Sequence, residues 1–115
     1  MNNKEHIIKQ TNINTWTIFS EDGVAVNSIS KEEIANYCKS AYEYEKENEG
    51  AYCITLENII CHTMSEIDKK YLDLVEINRR SEAFSKFLAW VFYVCAESLG
   101  NELTLYFKNR LLKYE

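Results

Sequence analysis

Proline is absent from this chain of 115 residues, and glycine occurs only three times, at Gly23, Gly50 and Gly100. So few glycines cannot build the loops that cradle nucleotide phosphates, which excludes a nucleotide-binding loop. Each glycine falls where the hydrophobic period changes and reads as punctuation. The four cysteines, Cys38, Cys53, Cys61 and Cys95, contain no CxxC pair, and only His6 and His62 stand beside them as nitrogen donors. Zinc takes four ligands at recognisable spacing, so neither a metal nor a cofactor is expected. Long hydrophobic runs are also missing. The most apolar stretch, residues 83–96, includes Ser85 and Lys86 and is too short to cross a bilayer core of about 30 Å as a helix. Near the N-terminus only Ile7 and Ile8 adjoin, which predicts no secretory signal and a cytoplasmic protein with four free thiols.

What is present is ordinary in amount and uneven in placement. Apolar residues make up 46% and charged residues 27%, the balance of an ordered globular protein, and 13.5 kDa allows a single domain over 1–115. The net charge is −5, and all of the excess lies in residues 1–60, where ten acids face five bases; residues 61–115 hold eight of each. A chain so polarised disfavours phosphate backbones, so direct contact with nucleic acid is not expected, and neither is a membrane surface.

The hydrophobic pattern predicts an α+β domain. Trp16 and Ile18 alternate before Asp22 and Gly23, whose turn chemistry tolerates positive φ, and Val24 to Asn27 alternates after them: a β-hairpin. Ser30 followed by Glu33 is a capping box opening a helix with Ile34, Tyr37, Cys38, Ala41 and Tyr42 at helical spacing, running to about Asn48. Tyr52, Ile54 and Leu56 alternate against Cys53, Thr55 and Glu57, which predicts one further strand, continuing towards Cys61. Two helices follow, about 66–78 and 82–99, separated by Asn78, Arg79, Arg80 and Ser81, which are placed like a break and a second cap. The second carries Phe84, Phe87, Trp90 and Val91, is apolar nearly all round, and is expected to be the central core helix, with Trp90 in the core. Residues 101–115 fit a helix better than a strand, and residues 1–12 read as a loose or helical lead. The expected architecture is a small antiparallel sheet packed against three or four helices.

No constellation of general acid, base and nucleophile is visible, so an enzyme is not expected. Cys61 beside His62 reads as a core thiol next to a half-exposed imidazole, and Arg79 and Arg80 as surface charges. The local anomaly is acidic. Glu43, Glu45, Glu47 and Glu49 crowd the negative end of a helix dipole, where each is disfavoured. Beside them Tyr42, Tyr44 and Tyr52 offer large contact area at small entropic cost. This end is expected to stand in water as a partner-binding face for a protein with a basic surface. The class it suggests is a small inhibitor that blocks a nucleic-acid-acting protein, in the manner of toxin-immunity or phage anti-defence proteins. The alternative is a homodimeric assembly or chaperone-like module built on the aromatic helix 82–99.

Overall fold

The computed structural model describes residues 5–47 and 55–113. Three strands precede three helices: β1 (Ile7–Asn12), β2 (Thr15–Phe19), β3 (Ala25–Ser30), α1 (Lys31–Glu47), α2 (Leu56–Ile67) and α3 (Glu82–Lys113). The sheet is antiparallel in the order β1-β2-β3, an α+β arrangement as the sequence predicts.

The hairpin forms for the predicted reason. Gly23 sits at φ +85°, and its N–H donates to the Ser20 carbonyl at 2.9 Å while Ser20 N–H donates to Val24 at 2.8 Å. Between β1 and β2 the Asn12 side chain accepts from Asn14 N–H at 2.8 Å and closes the reversal. Ile8, Trp16, Ile18 and Ile29 are buried under the sheet. On its outer face the hydroxyls of Thr11, Thr17 and Ser28 join across all three strands at 2.9 and 3.2 Å, which satisfies the buried Thr17.

The third strand is not where the alternation placed it. Residues 7–12, expected to be loose or helical, pair with β2 in the register Ile8 to Ile18 and Gln10 to Trp16. The expected strand over 52–60 is helical from Leu56 onward, and its earlier part lies outside the described residues. Thr55 caps α2 by accepting from Asn58 N–H at 3.1 Å, and Ile59, Thr63 and Ile67 form a buried stripe at helical spacing. The short alternation of 52, 54 and 56 competes with this longer 3.6-residue period and loses, because only the helix buries Ile59 and Ile67 together.

α2 ends in a wide turn, Asp68–Leu72, closed by Asp73 N–H donating to the Asp68 carbonyl five residues back at 2.8 Å. Arg79 clamps both ends of this π turn, reaching Asp68 at 3.0 Å and Asp73 at 3.2 Å, so it is a structural cation rather than a free surface charge. Ser81 then caps α3 by accepting from Phe84 N–H at 3.1 Å.

With 32 residues, α3 is about 48 Å long. It is the central helix and buries Phe84, Phe87, Val91, Val94, Cys95, Leu99 and Leu103. It runs through Gly100 instead of stopping there, and residues 101–113 are helical as predicted. Trp90 is only half-buried; the tryptophan of the core is Trp16, 4% exposed, with its ring edge-on to Phe87 at 5.5 Å.

The cysteines also differ from expectation. Cys38 of α1 and Cys95 of α3 form a disulfide with Cα atoms 5.6 Å apart, closing a separation of 57 residues. Thr63 lies against the bond and donates its hydroxyl to the Ile59 carbonyl at 2.8 Å. Cys61 is a free, exposed thiol, not a core one, and Cys53 lies outside the described residues. Both paired cysteines occupy core positions on their helices, and nothing in their spacing marks them as neighbours.

Candidate binding groove between α1 and α2

The acidic run is split by the helix it occupies. Ile34, Cys38, Ala41 and Tyr42 are the buried stripe of α1, and the next position on that stripe is residue 45. Glu45 is therefore buried, at 5% exposure, and the expectation that this end stands wholly in water fails. A buried carboxylate needs a partner, and His62 of α2 supplies it, with Nε2 2.7 Å from Glu45 Oε1. Tyr42 is also buried, with the Lys46 ammonium 5.8 Å over its ring. Glu43, Tyr44 and Glu47 are exposed, and Tyr44 sets its ring edge-on to His62 at 5.2 Å. Glu49 and Tyr52 lie outside the described residues.

The exposed members border a groove of about 460 Å³, lined by Tyr37, Ser40, Ala41, Tyr44, His62 and Glu66. Its α1 wall repeats at i, i+3, i+4 and i+7 from Tyr37; its α2 wall is the i, i+4 pair His62 and Glu66. Glu43 and Glu47 each stand three residues beyond a wall residue, Ser40 and Tyr44, which places them on the adjoining flank of α1. Neither makes an ion pair among the described residues, although Lys39 and Lys46 stand four residues before and three residues after Glu43 on the same side of α1.

Beside Tyr37 the groove ends in a closed polar knot. The Tyr71 hydroxyl lies 2.6 Å from both Glu33 carboxylate oxygens, Tyr37 donates to the same carboxylate at 3.0 Å, and Lys70 at 3.1 Å. The capping box is thus half-formed: Ser30 accepts from Glu33 N–H at 3.1 Å, but the Glu33 side chain reaches across to the π turn instead of back. Burial pushes the Glu33 carboxyl up, yet the bonds from Tyr71, Lys70 and Tyr37 outweigh it and hold it below its ordinary value. Burial, followed by the Glu33 carboxylate, pushes Tyr71 up to about 12, and Tyr37 moves the same way for the same reasons. These shifts lead away from neutrality, which suits a fixed scaffold rather than a proton shuttle.

Among the described residues no cluster of three or more His, Cys, Asp or Glu side chains is placed to hold a metal ion. Sequence reasoning had Glu33 and Tyr37 on α1 and Glu66 on a helix but missed their meeting with His62, because a strand continued towards Cys61 removed His62 from any helix. The signal was present in Thr55 as a cap and in Ile59, Thr63 and Ile67 at four-residue spacing. Compared with protein-family models, curated proteins and solved structures, the chain matches none.

Proposed function

We propose that the chain is a binding protein without a reaction of its own, and that it inhibits a basic, nucleic-acid-acting protein by receiving a cationic side chain in the α1–α2 groove. The observation that carries this reading is the pair of carboxylates, Glu43 and Glu47, that form no ion pair among the described residues, on the flank of a groove walled by Tyr37 and Tyr44. Aromatic faces attract an ammonium or guanidinium, and acids at the groove's edge steer it there. Glu45 acts indirectly, by fixing His62 as one wall. The reading places the protein in the cytoplasm, where burial of both sulfurs shields the Cys38–Cys95 bond from attacking thiolates. No helix among the described residues is long and apolar enough to cross a membrane.

The test is differential capture from host lysate. Proteins retained by the wild type should be lost with Glu43→Lys/Glu47→Lys and with Tyr44→Ala, and kept with Lys9→Glu/Lys86→Glu, which line neither wall of this groove. Retention indifferent to all three variants would sink the reading.

A second reading has its own observation. Leu88, Phe92 and Tyr93 of α3 are 39, 49 and 59% exposed within two turns of one helix. A second copy of the chain laid on this face would make a homodimeric module. Sedimentation at micromolar concentration should then give twice the chain mass, reduced to one chain by Phe92→Glu; a wild-type monomer removes the alternative.

A further inference from the structure

A second groove lies on the far side of the molecule, between the edge strand β1 and the first turns of α3. It encloses about 670 Å³ and is lined by Ile8, Lys9, Gln10, Trp16, Glu82, Ala83, Lys86 and Trp90. Both tryptophans of the chain stand in it, with ring centroids 6.2 Å apart.

Among the described residues no strand pairs with the backbone along this groove. β1 is the first strand of the sheet, so one of its edges is free. His6 N–H points away from β2, since it donates to the Glu76 carbonyl at 2.6 Å in a parallel bridge with Ile77. Backbone groups alternate sides along a strand, so those of Ile8 and Gln10 point outward as well. The partner strand agrees: the Asn14 carbonyl, of the same parity on the other side of the reversal, accepts from Lys31 and so points towards β3. The segment at 76–77 therefore already occupies the N-terminal end of this edge, and the groove continues its line past Ile8 and Gln10.

Two further observations mark the same edge. Among the described residues, the buried side-chain atoms lacking a hydrogen-bond partner are His6 Nδ1 and Trp16 Nε1, and both belong to this side of the sheet. Trp16 is itself almost wholly buried and lines the groove. Two lysines and one glutamate stand at the rim in a chain of negative net charge: among the described residues Lys9 makes no ion pair, and Lys86 pairs with Glu82 at 3.5 Å.

We infer that this edge is a peptide-binding site, in which an extended segment of a partner protein adds to β1 as a fourth strand. Its main chain pairs with Ile8 and Gln10, an aromatic or aliphatic side chain enters between Trp16 and Trp90, and acidic side chains at the alternate positions face outward to meet Lys9, with the Lys86 ammonium at the inner rim adding to the attraction. The ligand is thus opposite in charge to the one proposed for the α1–α2 groove, and the inference stands without that reading.

Tryptophan fluorescence reports on this site directly, because the chain has no tryptophan elsewhere. The probe is a capped seven-residue peptide alternating valine and glutamate around a central phenylalanine, with a counterpart carrying lysine for glutamate. A saturable change with the acidic peptide is expected, together with movement of the Trp16 indole N–H and the Ile8 and Gln10 amide resonances. Gln10→Pro deletes one outward donor at a position where an edge strand tolerates proline, so the fold should survive by circular dichroism while affinity falls at least tenfold. Lys9→Glu/Lys86→Glu should weaken the acidic peptide and admit the lysine peptide. No saturable change up to millimolar peptide, an equal response in Gln10→Pro, or equal binding of both peptides would each overturn the inference. So would a doubled mass in solution that Gln10→Pro abolishes, since the edge would then belong to a second copy.

Discussion

The two grooves treat their polar groups in opposite ways. Between α1 and α2 the buried Glu45 and the half-buried Glu33 are matched from another element, Glu45 by His62 and Glu33 by Tyr71 and Lys70, so the walls are held before any partner arrives. Between β1 and α3 the indole N–H of Trp16 is buried without an acceptor, and the outward backbone of Ile8 and Gln10 and the ammonium of Lys9 have no partner among the described residues. A buried donor without an acceptor costs about 1–3 kcal/mol, a cost that a ligand can remove on binding. The first groove offers a preformed shape with acids at its edge; the second offers unmade hydrogen bonds.

The largest perturbation acts on both grooves, because the Cys38–Cys95 bond ties the helix walling one to the helix walling the other. Closing a loop of 57 residues is worth about 4 kcal/mol in the chain-entropy description. Reductant should therefore lower the melting temperature by many degrees, and thiol titration in denaturant should count two more groups after reduction. Equal melting curves with and without reductant would return the chain to four free thiols.

Next comes the matched groove alone. Glu45→Ala strips His62 of its buried partner and should cost about 1–3 kcal/mol, less than a fully buried pair because the imidazole is half in solvent. Lys9→Ala in the open groove should stay within about 0.5 kcal/mol, since it breaks no contact. A denaturant titration giving the two variants the same loss would erase the distinction between the grooves.

The pH dependence sharpens the same comparison. Folding lowers the Glu33 pKa from 4.5, so its contribution is present above that value and is lost as pH falls through the lower folded value. Tyr71 is raised from 10.0 to about 12, so its contribution is present below pH 10 and is lost as pH climbs towards 12. Tyr71→Phe should flatten the alkaline loss and shift the acid one towards 4.5. Melting curves between pH 3 and 11 that superimpose for wild type and variant would show that the knot carries no stability.

The last expected effect lies outside both grooves and is favourable. Gly100 is exposed in mid-helix, and a Cβ there meets nothing within 4 Å. Gly100→Ala should stabilise by up to about 1 kcal/mol and supply a background for the weaker variants; any loss would mean that this part of α3 is covered in solution.

Some of this architecture was legible in residues near one another in the chain. Ser30 and Ser81 as caps, Asp22 with Gly23 as a turn, and the stripe from Ile34 to Tyr42 are local matters of hydrogen bonds and period, and each appears where it was read. The stripe, carried one step further, also reaches residue 45; the density of acids around it obscured that. Residues 7–12 were harder to read, because a single buried Ile8 among exposed neighbours gives no period, and β1 exists only because β2 offers it a ladder.

The sequence by itself determined a small antiparallel sheet with helices, the hairpin, the caps of α1 and α3 and the dominance of α3. Those follow from backbone preferences and from apolar spacing within single elements. Only the tertiary structure decided that Glu45 would be buried on His62, that Glu33 would leave its own helix end for the π turn, that Cys38 would meet Cys95, and that one edge of β1 would stay open beside two tryptophans. Each of these joins residues far apart in sequence, and their meeting is set by how the helices pack across the sheet, a quantity that no local period encodes.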